Sequence, residues 1–117
     1  MSYSDGYVAA VPDARREAYI RHASEFASLA REHGALRVVE CWGDDVPEGK
    51  LTSFPMAVKR EPGETVVFAW IAWPDKAVRD AAWPLIEADP RMQPLAHASI
   101  FDGKRMIYGG FQTVVDA

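Results

Sequence analysis

Residues 64–74 read Glu64-Thr65-Val66-Val67-Phe68-Ala69-Trp70-Ile71-Ala72-Trp73-Pro74, and the reading of this stretch decides the fold. It is the longest apolar run in the chain. Alternation along a strand puts Val66, Phe68, Trp70 and Ala72 on one face, and Val67, Ala69, Ile71 and Trp73 on the other. A strand that is apolar on both faces needs cover on both sides, which places it at the centre of a sheet. The rest of the chain must supply that cover.

Working outward, Gly6–Val11 reads as another short strand with two apolar faces, closed by Pro12. Asp13 is placed to cap a helix running to His33, with an apolar stripe of Tyr19, Ala23, Phe26, Ala27 and Ala30. Gly34 follows as a left-handed terminator. Leu36–Trp42 reads as a strand with Leu36, Val38, Glu40 and Trp42 on one face. Ser53 can cap a short helix through Val58 that tolerates Pro55 in its first turn. Beyond the central run, Asp75 caps a helix that Pro84 should kink or restart, ending near Asp89-Pro90. Residues 91–100 read as irregular. Arg105–Val115 is the last strand, and its Gly109-Gly110 pair suggests a bulge or a close backbone approach.

The order strand, helix, strand, strand, helix, strand is the ferredoxin-like βαββαβ pattern of an α+β fold, with an antiparallel sheet and both long helices on one face. One domain spanning residues 1–117 is expected from the length. The other face then stays bare. If roughly ten apolar side chains lie there at about 1.5–3 kcal/mol each, burying them yields on the order of 15–30 kcal/mol gross. Association costs an estimated ~4–15 kcal/mol, so a homodimer through the sheet face, a dimeric α/β barrel, is expected.

The segments Val39–Pro55 (V-E-C-W-G-D-D-V-P-E-G-K-L-T-S-F-P), Asp89–Met92 (D-P-R-M) and Phe101–Phe111 (F-D-G-K-R-M-I-Y-G-G-F) closely resemble the YbaA-like family of bacterial domains of unknown function. The resemblance covers nearly the whole chain. It implies membership of the dimeric α/β-barrel superfamily, where two ferredoxin-like sheets pack face to face. It brings no established activity and no catalytic residues. Monooxygenases, lactone isomerases, haem enzymes and plain ligand binders share the superfamily, so fold does not fix function.

A formal net charge of −4 argues against nucleic-acid binding, which needs clustered Lys and Arg. The densest basic pairs, Lys59-Arg60 and Lys104-Arg105, make at most a local anion site or an ion-pairing group. The opening residues have neither the basic nor the apolar region of a signal peptide, and the longest apolar run is about half a membrane span. A cytoplasmic protein is expected, with no membrane partner. The single cysteine, Cys41, has no neighbouring base in sequence and reads as a buried inert thiol. His22 and His33 lie on one helix roughly 16 Å apart and cannot share a metal. No motif, including the remaining histidine His97, calls for a metal or a cofactor, and none is expected.

Glu40 in a sheet strand needs a polar partner, for which Arg105 or Tyr108 on the last strand are candidates. His22 borders the apolar stripe of its helix. Together Tyr19, His22, Glu40, Trp42, Trp70 and Tyr108 form the candidate ligand pocket, a few polar groups among aromatics. Two functions fit. One is a homodimeric binder of, or small enzyme acting on, a hydrophobic small molecule. The other is a non-catalytic interaction or stress-related dimer. Convergence of Glu40, His22 and Tyr108 on a cavity supports the first. Scatter and pairing with arginines supports the second.

Overall fold

Four strands, β1 (Tyr3–Pro12), β2 (Arg37–Trp42), β3 (Glu64–Trp73) and β4 (Ile107–Gln112), form one antiparallel sheet in the order β2-β3-β1-β4. The computed structural model describes residues 1–96 and 98–117; His97 lies outside the described residues. The run quoted above is β3, and it is central. Its partners are β1, from Tyr3↔Trp73 to Pro12↔Glu64, and β2, from Arg37↔Ala72 to Trp42↔Val67. Pro74 ends it.

Helices α1 (Arg16–Glu32) and α3 (Lys76–Ala88) cover one face. Leu29 and Ala30 of α1 and Ala82 and Ile86 of α3 pack on Tyr3, Ile71 and Trp73. Tyr19 and Ala23 pack on Ala9, Val11 and Val67. Two single-turn helices, α2 (Phe54–Ala57) and α4 (Met92–Ala96), sit in the connections. Ser53 caps α2 by accepting from the Met56 amide at 3.1 Å, and Asp75 caps α3 by accepting from Val78 at 2.8 Å. Gly34 follows α1 with a φ of +114°, a backbone state that side chains rarely adopt.

The second face is half covered. The connection from β2 to β3 folds over one end of it, where Val58 is buried against Val8, Ala10 and Val66. Beyond that end the face is open. Phe68 is 44% exposed and Phe111 61% exposed, although both lie on sheet strands. Phe54, Phe68 and Trp70 form an edge-to-face chain with centroids 5.9 and 5.8 Å apart. The chain is a slab of 38 × 35 × 21 Å, as thick as one sheet and one helix layer at about 10 Å apiece. Its radius of gyration, 14.7 Å, exceeds the roughly 13 Å of a rounded domain this long.

Several local expectations need correction. Asp13 does not cap α1; the Thr65 hydroxyl donates to its carboxylate, and residues 13–15 form a 3-10 turn before the helix. Pro84 does not restart α3: the helix runs through it from Lys76 to Ala88, with Pro84 exposed. The Gly109-Gly110 pair causes no bulge: the register runs evenly through Gly6↔Gly109 and Asp5↔Gly110. Close approach is the reason for Gly110, where a Cβ would lie 2.9 Å from the Arg79 guanidinium. Cys41 is exposed rather than buried, since β2 is an edge strand and the position opposite Phe68 faces the open side. Residues 91–100 hold the turn of α4, and β4 is shorter than expected at both ends.

One polar cluster fixes α3 to the sheet. Asp5, buried in β1, accepts from Arg79 at 2.7 Å, from the Trp73 indole at 2.9 Å and from the Trp83 indole at 3.1 Å. Each donor comes from a different turn or strand, so the carboxylate ties β1, β3 and α3 together. Replacing Asp5→Asn turns one acceptor into a donor facing those donors. We expect a loss of about 3 kcal/mol in urea unfolding, the lower end for breaking a buried pair because Arg79 is partly solvated. A loss below about 1 kcal/mol would show that the cluster is not a structural tie.

Candidate functional site

Register brings the site together. Glu40 of β2 lies opposite Ala69 of β3, which lies opposite Tyr7 of β1, which lies opposite Tyr108 of β4. These four form one row across the helix-covered face. Ala69 carries only a methyl and is fully buried, so the longer side chains on either side can reach over it. Tyr7 Oη donates to Glu40 Oε2. Tyr19, from α1 above, donates to Glu40 Oε1 at 2.6 Å. The carboxylate is thus held by two phenols from two layers. His22, about one turn along α1, lies with Nε2 2.8 Å from the Leu95 carbonyl oxygen. A carbonyl only accepts, so Nε2 carries the proton and donates.

A cavity of about 500 Å³ opens beside this cluster. Its polar end is Tyr7, Tyr19, His22 and Glu40. Its walls are Phe26, Ile71, Trp83, Met92, Phe101 and Met106, and Tyr108 stands at the rim, 80% exposed. Trp83 stacks on Phe26 with centroids 6.1 Å apart, and Phe101 meets Tyr19 edge-on at 5.8 Å. The Asp5–Arg79 pair lines the same space. A second recess of about 250 Å³ lies on the far side of Tyr19 and Glu40, lined by Val38, Trp42 and Val67 among others. Among the described residues, no group of three or more His, Cys, Asp or Glu is placed to hold a metal ion.

Burial is the largest influence on the Glu40 carboxyl. It pushes the group above the usual 4.5 against the opposing pull of the two phenols and the His22 imidazole. The same burial and the neighbouring carboxylate push both phenols far above the ordinary tyrosine range, so Tyr7 and Tyr19 remain donors throughout the pH range of a folded protein.

Of the pocket residues expected from sequence, Tyr19, His22, Glu40 and Tyr108 line the larger cavity. Trp42 lines the smaller recess, with the Arg16 guanidinium 5.4 Å above its ring. Trp70 is not with them. It pairs with Val39 and Gly6, one register step from the Glu40 row, and so points to the open face. Arg105 does not reach Glu40. Its guanidinium grips both Glu64 carboxylate oxygens at 2.8 Å and Asp102 at 3.1 Å, so it is an ion-pairing group rather than a free anion site. The Lys104 amide bonds Asp102 at 3.0 Å, in the turn that positions Arg105. Sequence reasoning missed Tyr7, Asp5 and Arg79 as parts of the site. The available signal was a lone acid, Asp5, in a strand otherwise destined for burial, with Tyr7 on the same face.

A family model described as a protein of unknown function (DUF1428) matches residues 2–103. The uncharacterized protein YbaA of Escherichia coli (strain K12) is 54% identical over 116 residues, which is 99% of each chain. The uncharacterized protein YbaA of Shigella flexneri matches to the same extent. Two solved structures share the fold. A dimeric ferredoxin-like protein from an uncultured marine organism superposes with a TM-score of 0.63 at 12% identity, over 99% of this chain and 98% of that one. SnoaB, a cofactor-independent oxygenase from Streptomyces nogalater, superposes with a TM-score of 0.58 at 17% identity, over 98% and 95%. At such identities the likeness to both is one of fold.

The direction of the Glu40 shift has a measurable consequence. A carboxyl raised in the fold stabilises the protein most below its ordinary 4.5 and loses that contribution as the pH climbs through its folded value. The Glu40→Gln variant, neutral at every pH, is expected to gain thermal stability relative to wild type across that window. Melting curves from pH 4 to 8 check this; a constant difference between the two proteins would contradict it.

Proposed function

Because the chain belongs to the YbaA-like DUF1428 family, whose description assigns no activity, we propose its function from its cavity. Each subunit of a homodimer binds an apolar small molecule there and exchanges a proton with it through Glu40. One observation carries this reading: a carboxylate held by two tyrosine hydroxyls in the lining of a cavity of about 500 Å³ whose walls include Phe26, Ile71, Trp83, Met92, Phe101 and Met106. That volume is in the range of small-molecule sites, which combine apolar walls with a few convergent polar groups. A carboxyl raised by burial is moved towards the pH at which acids and bases work best in catalysis. The phenols orient it and remain hydrogen-bonded to it in either protonation state.

The dimer rests on the open sheet face. Phe68, Ile107 and Phe111, with the half-buried Trp70 beside Phe68, form an apolar surface that the chain's own elements leave open, and a large open apolar patch is unusual on a monomer. The fold neighbour titled a dimeric ferredoxin-like protein supports the same arrangement. A purely structural or interaction role is disfavoured because Glu40, His22 and Tyr108 gather on one cavity rather than scatter into arginine pairs.

Two measurements test the reading. Trp83 lines the cavity, so tryptophan fluorescence should respond saturably to some members of a panel of one- and two-ring apolar compounds, each carrying one hydroxyl, carbonyl, amino or carboxyl group. Silence across the panel would sink the binding reading. Light scattering should give a particle of twice the 13.0 kDa chain mass, and the Phe68→Arg/Phe111→Arg double variant should return it to the single mass. A wild-type monomer would remove the dimer.

A further inference from the structure

The hydrogen bonds around the cavity have a polarity of their own. Tyr7 and Tyr19 each have one hydroxyl proton, and both are engaged by Glu40. The His22 Nε2 proton is engaged by the Leu95 carbonyl. The Trp83 indole N–H is engaged by Asp5 at 3.1 Å. What remains around Glu40 is lone pairs on two phenol oxygens and on the carboxylate. Only Tyr108, at the solvent-exposed rim, keeps a hydroxyl proton free of any such bond.

Charge points the same way. The ionisable groups lining the cavity are Asp5, Glu40, Glu87, Arg79 and His22. Among the carboxylates and guanidinium, three negative groups face one positive group, a formal surplus of two negative charges. That guanidinium is bonded to Asp5 at 2.7 Å and to Asp80 at 3.0 Å and does not pair with Glu40. Glu40 has no arginine or lysine partner among the described residues, although a partly buried carboxylate is costly without a counter-charge. The walls include the aromatic rings of Phe26, Trp83 and Phe101, and an aromatic face attracts cations.

We infer that the cavity takes a ligand whose polar group donates hydrogen bonds and bears no negative charge, best met by a protonated amine on an apolar body, with Glu40 as its counter-ion. This rests on the proposed cavity binding and adds the chemical class of the ligand. At the polar end a carboxylate or phosphate ligand meets the lone pairs of Glu40 and of the two phenols that already donate to it, and its own charge opposes that of Glu40. A neutral alcohol can donate one hydrogen bond but leaves Glu40 without a counter-charge. An ammonium donates up to three and neutralises it.

The test is calorimetric titration of the full chain with three probes that share one body: 2-naphthylmethylamine, 2-naphthylmethanol and 2-naphthoic acid. At pH 7 the amine is expected to bind about tenfold tighter than the alcohol, and the acid about tenfold weaker than the alcohol. In the Glu40→Gln variant, checked for an unchanged circular dichroism spectrum, the advantage of the amine over the alcohol is expected to vanish. Tightest binding by the acid, or equal binding of all three, overturns the inference and leaves cavity binding standing. An amine advantage that survives Glu40→Gln also overturns it. Failure of all three to bind overturns the cavity reading together with the inference. The wild-type ranking is decisive by itself if the variant does not fold.

Discussion

Trp73 has no exposed surface, while Phe68, on the same strand, is nearly half exposed. Both are large aromatic side chains on β3, and the difference is which face they point to. A strand with two apolar faces must be covered twice, and this chain has only two long helices, both on one side. The connection carrying α2 covers one end of the second face and stops. Most of the remaining architecture follows from that shortage: the slab shape, the bare aromatic chain of Phe54, Phe68 and Trp70, and the predicted partner sheet.

On the covered side, two carboxylates, the buried Asp5 and the partly buried Glu40, have opposite fates. Asp5 receives a guanidinium and two indole N–H groups, so charge and hydrogen bonds are both met within the chain. It behaves as a structural pin. Glu40 receives hydrogen bonds from two phenols and no guanidinium or ammonium. Phenols satisfy lone pairs but bring no charge, so the desolvation of Glu40 is left largely uncompensated and its carboxyl is raised. Both carboxylates line the same cavity, but only Glu40 faces it without a counter-charge from the described residues.

How much of this could be read from residue order depends on whether a feature is local. The central position of β3 was legible because its alternating pattern is contained in one stretch. The caps at Ser53 and Asp75 and the stop at Gly34 were legible for the same reason. Glu40 and Trp42 share a face by simple parity. Trp70 was misgrouped because parity within one strand says nothing about parity between strands; the register Val39↔Trp70 is set by the packing of whole faces. Tyr7 was overlooked because its partner stands 33 positions away, and Arg105 was matched to the wrong acid because Glu64 lies 41 positions away. Pro84 was expected to kink or restart α3 on general grounds, but the helix continues through it on the exposed side. Cys41 was taken for a buried thiol because its strand is apolar, but an edge strand offers less shelter than its sequence suggests.

The placement of β1 bears on how the chain reaches this structure. It is the earliest strand in the chain, yet it lies between β3 and β4, with Tyr3 opposite both Trp73 and Gln112. None of its ladder bonds can form with a near neighbour in sequence. Contacts that close such long loops are slow to form, and they expose apolar strands while they wait. The segment from Tyr7 to Val11 therefore stays without a strand partner until β3 is available, and the Tyr3–Val8 stretch lacks its second partner until β4 arrives. Folding speed and early self-association, rather than the final stability of the sheet, are where substitutions in β1 should be felt first.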